Sequence, residues 1–374
     1  MLFRFNFMRH TLDRTLLLFT VILVVGGFLI FSSASLGLLA RDGARFSSVA
    51  LNQVLLGIIG GSIALFITST IHYRFWRQYA FYFFIASILI TLCVFIPGLG
   101  FSHGGAKRWI VIGTFSLQPA ELLKFGFIIY MATWLSGMKS HISDFLKGTL
   151  PFLLIVGGVG MVLLLQPDTD TFLIMASAAV AMFITAGGKI RDVILMAIAA
   201  IALLAILAFT RPYIMDRIQT FLDPSLDPQG SGYQIKQSLI AVGSGGFVGR
   251  GFGQSIQKFE YLPEPIGDSI FAVYAEEFGF IGSCILVLIF SGFALRGYKI
   301  ATQAPDLFSM LLIVGIMTVI IGQVFLNIAA MVGIAPLSGL PLPFISHGGT
   351  ALFTLLAAVG IVLNVSKYQK VSVV

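Results

Sequence analysis

The stretch YLPEPIGDSIFAVYAEEFGFIG, Tyr261 to Gly282, carries four carboxylates, Glu264, Asp268, Glu276 and Glu277, in a chain that otherwise avoids charge. It begins as a Pro-broken loop and becomes an apolar helix. An acid at such a boundary stays close to water and suits the work of a base. Asp268 follows Pro263 and Pro265 and falls near the helix start. A helix N-terminus favours its ionised form, while partial burial raises its pKa. Glu276 and Glu277 lie more than two turns deeper and are costly there unless paired, with basic groups from other helices as the expected partners. One acid is thus placed for chemistry, and two to hold helices together or line a cavity.

Other stretches offer cations and irregular backbone. GGAKRWIVIG, Gly104 to Gly113, sets Lys107 and Arg108 beside Trp109. These could anchor the chain among lipid headgroups, or contact a phosphate and stack on a sugar. QPAELLKFGF places Glu121 and Lys124 three apart, on one helix face. A lone charge at mid-membrane costs about 2.5–3.5 kcal/mol, so the pair should face protein or a watery cavity. LQPDTDT puts Asp168 and Asp170 at a tight turn, which turn chemistry alone explains. LSGLPLPFISHGG, Leu337 to Gly349, should re-enter the membrane irregularly, which is tolerated only when buried in protein or lining a cavity. His347 in it has no His, Cys or acidic neighbours and reads as a satisfied polar group. The glycine cluster GSGGFVGRGFG, Gly243 to Gly253, lacks the Lys-Ser/Thr ending of a nucleotide loop and reads as a tight turn against membrane or substrate phosphate.

These groups need a scaffold. The 374 residues are 57% hydrophobic and 10% charged, with mean hydropathy +0.98. A soluble domain carries about 25% charged residues, so lipid must be the solvent. The 40 glycines suit close helix approach in lipid. The two cysteines imply no disulfide. Ten spans are predicted, at about 15–38, 53–71, 79–97, 117–137, 149–166, 170–187, 191–210, 268–295, 307–331 and 343–366. The expected fold is therefore an all-α integral membrane protein. It forms a single polytopic domain over 1–374, with a long extracytoplasmic loop, 211–267, before the eighth helix. Within that loop YQIKQSLIAVGSGG reads as an amphipathic interfacial helix. Arg4, Arg9, Arg14, Arg74, Arg77, Lys139, Lys147, Lys189, Arg191, Arg296, Lys299, Lys367 and Lys370 fall on one side. The opposite short loops hold Arg41, Arg45, Lys107 and Arg108. The positive-inside rule then puts both termini in the cytoplasm. It also explains the formal net charge of +7 without nucleic acid.

Taken in order, GAKRWI, QPAELLK, LLLQPD, QSLIAVGSGG, YLPE followed by Asp268 and IFA, EEFGFIG, and LPLPFISHGG resemble the SEDS family (the FtsW/RodA/SpoVE family). The resemblance runs from Asp13 to about Leu363, and GRGFGQSIQKFEYLPE is closer to its division branch. Departures are Ile266, Gly267 and Ser269 around the acid, Asp168, Thr169, Asp170 and Thr171 where the family has Asp-x-Gly-Thr, and His347 where the family has Tyr.

The resemblance implies a membrane peptidoglycan glycosyltransferase that polymerises lipid II, inverts the anomeric carbon and releases undecaprenyl pyrophosphate. It implies Asp268 as catalytic base. The expected substrate contacts are Lys107, Arg108, Trp109, Glu121, Lys124, Arg250, Lys258, Glu264 and Ser346. Lys107, Arg108, Arg250 and Lys258 are the candidates to meet pyrophosphate. A divalent cation, Mg or Mn, would assist departure, though no ligand set demands one. Expected partners are lipid-linked glycan, a class B penicillin-binding transpeptidase and division-machinery membrane proteins, at the septal cytoplasmic membrane. Two other classes compete: a lipid II flippase, and a non-catalytic scaffold for the transpeptidase. A flippase needs polar groups through the whole membrane depth, whereas an acid at the outer boundary suits chemistry on a translocated lipid.

Overall fold

A computed structural model describes residues 11–103, 106–112, 115–210 and 212–369. Arg4, Arg9, Lys370, Gly104, Gly105, Gly113 and Arg211 lie outside the described residues. Fifteen helices follow in order: α1 (Arg14–Arg41), α2 (Gly43–Leu51), α3 (Gly61–Thr70), α4 (Arg74–Gln78), α5 (Ala80–Leu92), α6 (Pro119–Gly137), α7 (Leu150–Leu165), α8 (Thr169–Thr185), α9 (Ile190–Thr210), α10 (Pro212–Leu222), α11 (Ser231–Ser244), α12 (Gln257–Glu260), α13 (Ile270–Thr302), α14 (Leu307–Met331) and α15 (Gly349–Ser366). A π-helical stretch, Asn52–Gly60, joins α2 to α3.

The chain is a multi-pass helical membrane protein. Among the described residues, seven helical segments are long and apolar enough to cross a bilayer, and Ala80–Phe95 and Thr169–Thr185 are shorter apolar helices. Helix occupies each of the ten predicted intervals. The last helix starts at Gly349 rather than 343, because the Pro- and Gly-rich run before it is irregular as expected.

The helical fold carries one small sheet that was not expected. Strands β1 (Gly100–His103), β2 (Ala106–Ile112) and β3 (Phe115–Leu117) form an antiparallel sheet in order β1-β2-β3. Trp109 stands opposite Phe101, and Ile110 opposite Leu117. The β-branched and aromatic run WIVI favours a pleated surface.

The core lies around α14 and α15, whose spans are 72% and 83% buried, whereas α9 is 11% buried and lies at the rim. Asp13 caps α1 by accepting from the Leu16 backbone, accepts from the Arg296 guanidinium on α13, and takes the Ser366 hydroxyl as acceptor for its own N–H. One residue so ties the start of α1 to α13 through its carboxylate and to the end of α15 through its backbone. Helix α11 forms where an interfacial helix was expected, but it docks on α13 with Gly232, Ile235, Ser238 and Ala241 buried.

Candidate active site

A cleft of about 450 Å³ opens beside the start of α13. Trp109 of β2, Arg217 of α10, Arg45 of α2 and the irregular segment ending at Gly348 wall it, and Asp268 and Glu264 line it. The chain reaches Asp268 through a left-handed turn at Glu264, φ 46°. There the Gly267 and Ser269 N–H groups both donate to the Glu264 carbonyl, at 3.0 and 3.3 Å. Asp268 is half-buried and precedes α13, which Ser269 opens. Burial pushes its carboxyl up to about 7, and the neighbouring charge of Glu264 adds to this. Hydrogen bonds from Gln234 and Ser269 oppose the rise. The expected tug between helix terminus and burial is therefore decided by burial.

The acid is held from behind through the backbone. Three successive carbonyls each accept one donor: Ile266 from the His347 N–H at 2.8 Å, Gly267 from the Ser346 hydroxyl at 2.6 Å, and Asp268 from the Asn327 amide at 2.7 Å. Asn327 also donates to the Leu340 carbonyl at 2.9 Å, and the Ser346 hydroxyl accepts from the Leu342 N–H at 2.8 Å. Gln234 of α11 donates to the Asp268 carboxylate at 3.2 Å and to the Ser269 hydroxyl at 3.0 Å. These grips act on backbone atoms of Ile266 and Gly267, so the unusual side chains there leave the acid's support intact. Ser346, expected to touch substrate, spends both hydrogen-bonding functions on this support.

The cations of the cleft are mostly spoken for. Arg108 donates to the Gln166 carbonyl at 3.1 Å and to the Pro167 carbonyl, and it faces Asp168 at 3.7 Å. Asp168 is buried, and burial raises its pKa although Arg108 opposes the shift. Arg217 pairs with Asp170 at 2.8 Å, and the same carboxylate oxygen accepts the Gly339 N–H at 3.3 Å. The two acids of the QPDTD turn thus latch cleft walls and are more than turn formers. Trp109 lines the cleft; Lys107 is exposed on β2 and does not.

Four other expected contacts are placed elsewhere. Glu121 and Lys124 form a buried pair at 2.8 Å, with Lys124 also donating to Gln323 at 3.2 Å. Glu121 lines only a constriction of about 20 Å³ next to the cleft. Lys258 is fully buried: its ammonium donates to Ser33, to the Gly253 carbonyl and to Glu277 at 3.0, 2.8 and 2.8 Å. All three protons are used, so it has none for a phosphate. Arg250 faces Glu276 at 3.4 Å and does not line the cleft. The cationic partners of Glu276 and Glu277 therefore come from the long loop, and the spanning helix α1 adds the Ser33 hydroxyl on Glu277. Gly37 is required there, because a Cβ would collide with the Lys258 carbonyl.

His347 departs from its reading as a satisfied group. It lines the cleft, lies against Phe31 with ring centroids 6.3 Å apart, and its Nε2 is buried without a partner among the described residues. Burial pushes its pKa down to about 4, with Arg45 contributing, so the ring is neutral. Arg45, Arg217, Gln234 and Asn327 were not picked out as site residues. Nothing in their spacing marks them, since each reaches the site from a different element. Among the described residues no three His, Cys, Asp or Glu side chains group to hold a metal ion.

Comparison with known proteins follows the same arrangement along the chain. The family model FTSW_RODA_SPOVE, described as cell cycle protein, matches residues 14–371. Stage V sporulation protein E of Bacillus subtilis (strain 168) is 37% identical over 359 residues, covering 96% of this chain and 98% of that one. A probable peptidoglycan glycosyltransferase FtsW of Geobacter sp. (strain M18) is 38% identical over 357 residues, covering 95% and 96%. Among solved structures, a chain of a peptidoglycan synthase complex that coordinates polymerization and crosslinking superposes with TM-score 0.78 at 27% identity, covering 96% and 98%. The rod shape determining protein RodA of Thermus thermophilus gives 0.68 at 25% identity, covering 96% and 98%.

Proposed function

The chain belongs to the FtsW/RodA/SpoVE family of cell cycle proteins, and from that premise we propose that it is a peptidoglycan glycosyltransferase polymerising lipid II at the outer face of the cytoplasmic membrane. The observation that carries the reading is Asp268: a carboxyl raised to about 7 at the wall of a cleft. A general base works best with a pKa near the operating pH.

The reaction follows from the groups available. Asp268 takes the proton from the 4-hydroxyl of one lipid-linked sugar. The oxygen attacks C1 at the end of the growing chain, from the face opposite the leaving group. The C1–O bond to phosphate breaks, its electron pair leaves with undecaprenyl pyrophosphate, and the anomeric centre inverts. The backbone clamp keeps the carboxyl still, so it is spared reorganisation at the moment of reaction. Trp109 is suited to stack on a sugar ring. No step is routed through a metal.

Ten crossings with both termini cytoplasmic fit this placement, because they put the cleft and the long loop outside. A class B penicillin-binding transpeptidase is the proposed partner, supported by the likeness to a synthase complex. Likeness to FtsW and to the sporulation protein supports a role in division septa. The test uses purified protein with labelled lipid II, read for glycan polymers on a gel and for translocation in vesicles. Polymer formed by wild type and lost in Asp268→Asn supports the enzyme. Translocation without polymer would establish the flippase instead.

A further inference from the structure

The transfer reaction needs a cation for the departing pyrophosphate, and the structure removes most candidates. Lys258 has no free proton, Arg250 is turned to Glu276, and Lys107 lies off the cleft. Within the cleft, Arg108 and Arg217 are each already paired with an aspartate. One lining cation remains. Arg45 sits on α2, is exposed, and its side chain makes no hydrogen bond or ion pair among the described residues.

Its position is distinctive for a second reason. A separate pocket of about 170 Å³ is lined by Arg41, Arg45, Lys258, Glu264 and Ile266, among others. Arg45 and Glu264 line both this pocket and the Asp268 cleft. The guanidinium therefore stands at the junction of two cavities, and only one of them contains the base. It also lies close enough to His347 to depress that ring's basicity, so it faces the same wall as the unpartnered Nε2.

We infer that Arg45 binds the pyrophosphate of the lipid-linked donor at this junction, with the smaller pocket receiving the phosphates and the buried Nε2 of His347 offering a further hydrogen bond. A guanidinium presents a planar fork to two phosphate oxygens. An exposed, uncommitted one need not break an internal pair to do so. The donor then presents C1 toward the cleft, where Asp268 receives the acceptor's proton. As the C1–O bond breaks, the electron pair passes to the phosphate oxygen, and Arg45 meets the charge that develops there. Arg41, which lines only the smaller pocket, contributes charge without touching the reacting end.

This assignment rests on the glycosyltransferase reading, so its experiment has two independent arms. In the first, polymerisation of labelled lipid II is followed for wild type, Arg45→Ala, Arg45→Lys and Arg45→Glu. The expectation is a loss of about 10²-fold in Arg45→Ala, the scale for removing one donor from a developing anion. Arg45→Lys should recover part of it, Arg45→Glu should be worst, and melting temperatures should be unchanged. In the second, binding of undecaprenyl pyrophosphate is measured directly on the same proteins in detergent. Arg45→Ala should bind at least tenfold more weakly. If wild type binds the pyrophosphate but forms no polymer, the arginine site stands and the polymerase reading falls. If Arg45→Ala binds and polymerises like wild type, the site is overturned. Inorganic pyrophosphate competing equally well would identify the phosphates alone, and not the lipid tail, as what the pocket recognises.

Discussion

Two regions of the molecule drew their acids from one stretch of sequence and use them in opposite ways. Around Glu277, the Lys258 ammonium, the Ser33 hydroxyl at 2.6 Å and the Ser255 N–H at 3.4 Å close over the carboxylate, with the lysine itself fully buried. Around Asp268, no cation is paired to the carboxylate among the described residues, and the supporting bonds fall mainly on the backbone. Burial of a charge is tolerated when pairing is complete. Where pairing is withheld, the same burial becomes a raised pKa. The knot locks the long loop to α1 and α13; the cleft leaves its carboxyl without a cation.

The largest effect should come from the unpaired acid. Asp268→Asn is expected to lower polymerisation by about 10²–10⁴-fold while the protein still inserts and folds. The pH sign can be worked out. The folded pKa, about 7, lies above the ordinary carboxyl value. The native state therefore holds a proton that the unfolded chain has lost, and this group's contribution to stability falls as pH rises toward and through 7. Asp268→Asn should accordingly melt higher than wild type at pH 8, with little difference at pH 4. Base activity runs the other way, rising with pH through about 7. Equal melting at pH 8 would show that the carboxyl is not destabilised by burial.

The knot should fail through stability instead. Lys258→Ala leaves Glu277 buried without its cation, which costs about 3–5 kcal/mol, read as a large drop in melting temperature or in folded yield. Lys258→Met with Glu277→Leu should recover part of the loss. Full recovery is not expected, because Ser33 and Ser255 would lose their acceptor. Glu121→Ala and Lys124→Ala should each destabilise in the same manner. Their joint replacement by Leu and Met asks whether the pair belongs with the knot or the cleft. A stable double variant with wild-type polymerisation puts it with the knot.

Gln234→Leu sharpens the comparison from the cleft side. It removes a hydrogen bond that favours the charged form of Asp268, so the acidic limb of the activity profile should move to higher pH. Glu264, His347 and the lining arginines also face this carboxyl's cleft, so the shift should be read against Asp268→Asn as the null. The smallest effects belong to the sheet. Trp109→Ala should cost about tenfold in activity, the size of one contact worth ~1.4 kcal/mol, with Trp109→Phe milder. Lys107→Ala should change stability by less than about 0.5 kcal/mol and leave polymerisation unchanged.

Much was legible in the sequence because lipid imposes it locally. Runs of apolar residues must become helices where no water can satisfy the backbone, so helix is found in every predicted interval. Asp268 stood out because a charge at an apolar boundary is conspicuous in one dimension, and the Glu121–Lys124 pair because helical spacing is fixed. Which cation meets which acid was not legible. Lys258 and Glu277 are 19 residues apart and Arg108 and Asp168 are 60 apart, and only the folded chain makes Lys258 a bolt and Arg45 the uncommitted charge. Pairing energy falls with distance in space and not along the chain. The sequence by itself determined a helical membrane protein with an acid at a helix boundary; the tertiary structure decided which charges are spent on holding it together and which stay unpaired.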